Sequence, residues 1–126
     1  MKLLPLYAAL LALVFVFLSV RTLMLRRKFQ IGVGTAGNEQ LLRASRVHSN
    51  FAEYVPITLM LIYFAEMQGA SANFVHFAGT ALLLGRVLHA YGVSQVKENL
   101  KFRVAGMILT FTSILTAARQ VLSAYF

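Results

Sequence analysis

Cysteine and tryptophan are absent from the 126 residues, proline occurs twice, and acidic side chains number only four. Without cysteine there is no disulfide, no thiolate metal ligand and no cysteine nucleophile, so any sulfur chemistry must arrive with a ligand. The scarcity of acids against twelve Lys and Arg leaves a formal net charge of +8. That excess would suit nucleic acid if it formed one basic face, but it crowds into short polar connections, which is the positive-inside pattern of membrane proteins. No nucleic-acid partner is expected.

What is abundant is apolar surface. Hydrophobic residues make up 59% of the chain and the mean hydropathy is +0.71. A water-soluble domain of this length cannot hide so much in one core, whereas uncharged runs of about 17–25 residues are long enough to cross a bilayer. The run Leu3 to Val20 carries no charge and ends at Arg21, Arg26, Arg27 and Lys28. This is a stop-transfer flank, not the small-residue cleavage site of a signal peptide.

The pattern predicts an all-α, single-domain, four-helix transmembrane bundle over residues 1–126, with helices near 3–26, 39–68, 72–91 and 100–125. Gly92 is read as the stop of the third helix. The first and third connections are basic, with Arg26, Arg27, Lys28, Lys97 and Lys101, and the second is uncharged. Four crossings put both basic connections on one side, expected to be the cytoplasm. No internal repeat or low-complexity segment is present.

Gly32-Val33-Gly34-Thr35-Ala36-Gly37 fits a dinucleotide fingerprint, but that motif works only between a strand and a helix. Here it follows a membrane helix, and it is read as an interhelical loop. The second helix carries more information. Arg43, Arg46, Asn50 and Glu53 are spaced three, four and three apart, which places them on one stripe. Polar groups at such depth must face protein or a wet cavity. Two readings stay open: an Arg46–Glu53 salt bridge with Asn50 as an interhelical hydrogen-bond partner, or a site for a small zwitterion, with guanidinium groups for carboxylates and Glu53 for an ammonium. Arg86 and His89 share a face of the third helix, and Arg103 opens the fourth at the same depth. Arg46, Arg86 and Arg103 then share one cationic region, whose mutual repulsion either a bound anionic ligand or water and lipid headgroups would relieve. His89 by itself reads as a hydrogen-bonded packing residue. His48 and His76 lack ligand spacing, and no metal site is expected. At the other face, Glu66 and Arg119 are expected to pair. Pro56 removes one helical hydrogen bond just after the stripe and is expected to bend the helix.

The stretch from Arg46 to Pro56 resembles the R-x-H-x-N-x-x-E-Y-x-P signature of the MAPEG proteins, the membrane-associated proteins of eicosanoid and glutathione metabolism. Gly85 to Gly92 resembles the family's helix 3 motif and Arg103-Val104-Ala105-Gly106 the start of its helix 4. The likeness covers nearly the whole chain. It implies a homotrimer binding glutathione between subunits on the cytoplasmic side, as a thiol co-substrate for a transferase or peroxidase acting on lipophilic electrophiles or lipid peroxides. By position, Arg46, Asn50, Glu53 and Tyr54 would hold the peptide. Arg26 or Arg27 would meet a carboxylate, Arg86 and His89 would line the pocket, and Arg103 would activate the thiol. Val93 stands where several eicosanoid enzymes have tyrosine, and the connection before Arg103 is longer. Both features match the short prokaryotic branch and imply a bacterial inner membrane. The same fold also implies an alternative, a non-catalytic scaffold binding lipid or ligand. A thiol with a pKa of about 8.5 is mostly protonated at neutral pH, and a guanidinium beside it favours the anion by about 1.4 kcal/mol for each unit of lowering.

Overall fold

In the computed structural model, which describes residues 2–126, the chain forms four helices: α1 (Leu4–Phe29), α2 (Glu39–Met67), α3 (Ala72–Ser94) and α4 (Leu100–Leu122). Local chemistry sets their starts. Pro5 sits in the first turn of α1, where its missing N–H costs nothing. Asn38, Ser71 and Asn99 cap the other three, their side-chain oxygens accepting from the backbone N–H of Leu41, Phe74 and Lys101 at 2.9, 3.2 and 3.1 Å. α1 runs one turn past Arg26, so that Arg26, Arg27 and Lys28 occupy its last turn, where cations complement the helix dipole. Gln30 then reverses the chain at φ 56°.

The helices run up and down. Leu3 N–H donates to the Glu66 carboxylate at 2.6 Å, which sets the start of α1 beside the end of α2. Arg43 at the start of α2 reaches Glu98 in the α3–α4 connection at 3.0 Å, so the two basic connections share one end of the bundle. Glu66 therefore does not pair with Arg119. It is buried against the α1 terminus, and its side chain serves a backbone donor instead.

Apolar cores lie between the helices, the largest built from Leu11, Leu18, Val47, Phe51, Val55, Leu82 and Val93. The outside is equally greasy. Leu13, Phe17 and Leu115 are each more than 60% exposed, while Arg86, His89, Thr58, Thr110 and Ser113 are buried. Polar inside and apolar outside suits a lipid solvent and not water. By length and composition alone, α1 and α4 are the helices long and apolar enough to cross a membrane. α2 and α3 spend part of their hydropathy on the charged and histidine side chains described below.

α3 and α4 approach most closely, and the reason is glycine. A Cβ on Gly106 would lie 2.6 Å from Gly85 O and from His89 N, and one on Gly85 would lie 2.8 Å from Gly106 O. Small residues at such crossings let backbones meet in membrane bundles. Gly92 belongs to the same seam: a Cβ there would sit 2.8 Å from Arg103 N. It does not stop α3, which continues to Ser94. α2 likewise continues through Pro56, and α4 ends three residues earlier than its apolar pattern suggests.

Candidate functional site

The centre of the site is Arg86, 1% exposed in the middle of the bundle. The Gly85–Gly106 contact brings α4 close enough for Thr110 to reach it. Thr110 Oγ1 donates to Gly106 O at 2.8 Å and accepts from Arg86 Nε at 3.0 Å. From α2, Asn50 Oδ1 accepts from Arg86 Nη1 at 2.5 Å. Arg86 Nη2 meets the Met107 sulfur at 3.3 Å, and the guanidinium carbon lies 5.5 Å from the centre of the Tyr54 ring. Tyr54 is held edge-on against Phe111. Every one of these partners is neutral. A buried guanidinium therefore sits among hydroxyl, amide, thioether and ring, with no ion-paired carboxylate among the described residues.

The α2 ridge splits along its length. At about 100° per residue, Arg43 and Asn50 fall within about 20° of each other, and Arg46 and Glu53 form a second pair rotated by about 60°. The first pair faces inward. Asn50 meets Arg86, and Arg43 bonds Glu39 at 3.0 Å, Glu98 at 3.0 Å and Val93 O at 3.3 Å. The second pair is exposed on the outer edge of the bundle. The Arg46–Glu53 salt bridge does not form among the described residues, although the two lie on one face. Nothing in a single chain covers them.

Arg103 is about half exposed and lies 3.5 Å from Glu98 Oε1, an ion pair in which that oxygen accepts no hydrogen bond. Glu98 is thus shared between Arg43 and Arg103, with one oxygen well bonded and the other only near its cation. Glu98→Gln should lower thermal stability, because Arg103 would lose its anion and Arg43 would keep only the exposed Glu39. The loss should shrink as salt is raised, which thermal unfolding at two ionic strengths checks.

Arg26 caps the glycine loop, its Nη1 donating to Ile31, Gly32 and Gly34 carbonyls at 3.4, 3.3 and 2.9 Å. That explains the Gly32–Gly37 stretch as a loop whose Gly34 and Gly37 adopt positive φ. Arg27 is exposed beyond it. His89 is buried one turn from Arg86 with its backbone against Gly106. It is a packing residue, but the hydrogen bond expected of its ring has no partner among the described residues. His48 stacks on Phe15 with its Nε2 3.0 Å from Ser19 Oγ, and the His76 Nδ1 lies 2.8 Å from the Tyr7 hydroxyl. The structure thus joins Asn50, Tyr54 and Arg86, leaves Arg46 and Glu53 on the adjoining outer edge, and holds Arg103 and Arg26 on their own neighbours. Sequence reasoning missed Thr110 and Glu98. Glu98 was detectable as the one acid in the second basic connection. Thr110 had no signal beyond lying one turn past Gly106.

The MAPEG family model matches residues 4–123. The chain belongs to the MAPEG family. Its relatives include the inner membrane protein YecN of Escherichia coli strain K12, 37% identical over 110 residues that make up 87% of this chain and 82% of that protein. The protein of the same name in Escherichia coli O6:H1 matches to the same extent. As a MAPEG protein of four helices, the chain is an integral membrane bundle.

Proposed function

We propose that this MAPEG protein is a glutathione-dependent membrane transferase or peroxidase acting on hydrophobic electrophiles or lipid peroxides, with the thiol peptide bound between copies of the chain in a trimer. The observation that carries the reading is Arg86, a buried cation with only neutral partners beside an outer edge bearing Arg46 and Glu53. Burying a charge without a counter-ion is expensive, and an anionic ligand reaching Arg86 would offset that cost. Glutathione supplies the matching chemistry: one carboxylate for Arg86 and Arg46, an ammonium for Glu53, and a thiol. Arg27 and the free donors of Arg26 would meet the second carboxylate, with Tyr54 and His89 walling the pocket.

In this reading Arg103 swings from Glu98 to the thiol sulfur. A guanidinium does not act as a base at ordinary pH, so its part is electrostatic: it stabilises the thiolate while water takes the proton. With an electrophile the thiolate sulfur forms the new bond as the bond to the leaving group, or the ring C–O bond, breaks, and the departing anion collects a proton from solvent. With a peroxide it attacks oxygen as the O–O bond breaks, and the alkoxide collects a proton. A second glutathione then reduces the resulting sulfenic acid to give disulfide and water. The second substrate enters sideways from the bilayer. Basic connections on the cytoplasmic side of a bacterial inner membrane would put the site where the soluble thiol is found.

One observation favours a second reading, a non-catalytic ligand- or lipid-binding scaffold: Arg103 rests on Glu98 and not on the Arg86 cluster. Ultraviolet absorbance of bound thiolate separates the two. The enzyme reading expects a thiolate signal at neutral pH that Arg103→Ala removes; a signal unchanged in Arg103→Ala favours the scaffold. Arg46→Leu should weaken glutathione binding at least tenfold while leaving assembly intact by size-exclusion chromatography. Loss of assembly would instead mark Arg46 as a structural contact.

A further inference from the structure

Away from the Arg86 cluster, α1 and α3 leave a groove of about 590 Å³ between them, within the range of roughly 300–1,000 Å³ typical of small-molecule sites. Its walls are Leu13, Val14, Phe17 and Leu18 from α1 and Val87, Ala90 and Tyr91 from α3. The α1 residues follow one helical face, and Arg21 continues that face one turn beyond Leu18. From Leu13 to Arg21 the groove spans about 12 Å along the axis.

Arg21 gives the groove a polar end. Its Nη1 donates to Ser94 Oγ at 2.5 Å, and Ser94 in turn donates to Ala90 O. Ser94 is neutral, and no carboxylate pairs with Arg21 among the described residues. The residue lies five positions, or about 7.5 Å, inside the Arg26-Arg27-Lys28 flank, level with the end of α3 at Ser94. A second groove, between α1 and α2, is smaller at about 230 Å³ and apolar throughout. It has no feature that selects an occupant.

We propose that the α1–α3 groove binds one anionic phospholipid, its phosphate on Arg21 and an acyl chain along Leu13, Phe17 and Val87. The argument is charge complementarity joined to depth. A guanidinium presents paired donors that match a phosphate, it sits where α1 passes from apolar to basic, and an acyl-sized apolar channel leads from it toward the membrane centre. The proposal does not depend on glutathione, because none of these residues belongs to the Arg86 cluster.

Native mass spectrometry of the detergent-purified protein with phosphatidylglycerol or phosphatidylcholine of equal chain length tests it. Retention of phosphatidylglycerol is expected to exceed that of phosphatidylcholine at least fivefold. Arg21→Gln should erase the preference, and Ala90→Trp, which fills the groove and leaves the charge, should lower retention of the anionic lipid at least fivefold. Equal retention of both lipids, a preference that survives either variant, or equally strong retention of glycerol phosphate without acyl chains would overturn the proposal. So would a change in the number of copies per particle in either variant, which would make the groove a subunit contact. Should Arg21→Gln fail to fold, Ala90→Trp and the comparison of headgroups decide.

Discussion

Arg86→Met is expected to lose glutathione binding while the bundle stays as stable as the wild type or becomes more so. The two effects have one cause. Arg86 is 1% exposed and bonded only to Thr110, Asn50 and Met107, so in the unliganded protein its desolvation is repaid by neutral hydrogen bonds alone. Replacing buried charge with an apolar side chain of similar shape is often neutral or stabilising. Asn50 and Thr110 would lose a donor, and Thr110 would keep its bond to Gly106 O. For an anionic ligand the balance reverses. Removing one partner of a desolvated charged contact costs roughly 2–5 kcal/mol, or at least a tenfold loss of affinity at about 1.4 kcal/mol per decade. Calorimetric titration and thermal unfolding of the same preparation measure both. A variant that binds normally would show that Arg86 does not hold the guest, and one that unfolds would contradict the expected tolerance of the bundle to its loss.

The second large effect is structural. Gly106→Val should destabilise the bundle by about 3 kcal/mol or more, beyond the usual overpacking range of about 1–3 kcal/mol, and should prevent folding if the seam cannot open. The new Cβ would meet Gly85 O and His89 N at 2.6 Å and His89 Cβ at 2.8 Å. Two of those three atoms are backbone, so no rotamer change relieves them. Gly32→Ala is the matched control: nothing lies within 4 Å of its added Cβ, and it should unfold with the wild type. Helicity followed by circular dichroism through a denaturant titration reads both. Because the α3–α4 seam also delivers Thr110 to Arg86, Gly106→Val should remove ligand binding together with stability, unlike Arg86→Met.

The four helices were legible because lipid imposes a simple rule: uncharged runs of spanning length, broken by basic or turn-forming connections. The α2 ridge was legible for a similar reason, since a spacing of three and four residues shows a shared face whatever the tertiary structure. What such a pattern lacks is the rotation of each helix against its neighbours. Asn50 and Arg46 are one turn apart, yet one meets Arg86 and the other faces outward. Only the angle at which α3 meets α2 decides between them. Glu66 was assigned to Arg119 on charge and depth, whereas the nearest donor is the backbone of Leu3. Backbone partners carry no charge and leave no mark in a sequence. Gly92 obeyed a local rule for helix ends and was overruled by packing, because α3 needs a small residue against Arg103 N more than it needs a stop.

The Glu98 arrangement follows the same logic at longer range. Arg43 and Arg103 are sixty positions apart, and the up-and-down order of the helices brings both to one carboxylate. In the proposed reaction that carboxylate is the resting partner of Arg103, and the incoming thiolate is its competitor.

The central claim is that the Arg86 cluster and the outer edge of α2 together hold a small anionic thiol peptide. Isothermal titration of the detergent-purified protein with glutathione addresses it most directly. Saturable heat that disappears in Arg46→Leu and in Arg86→Met is the predicted result. No heat up to millimolar glutathione, from a preparation whose thermal unfolding is cooperative, would contradict it.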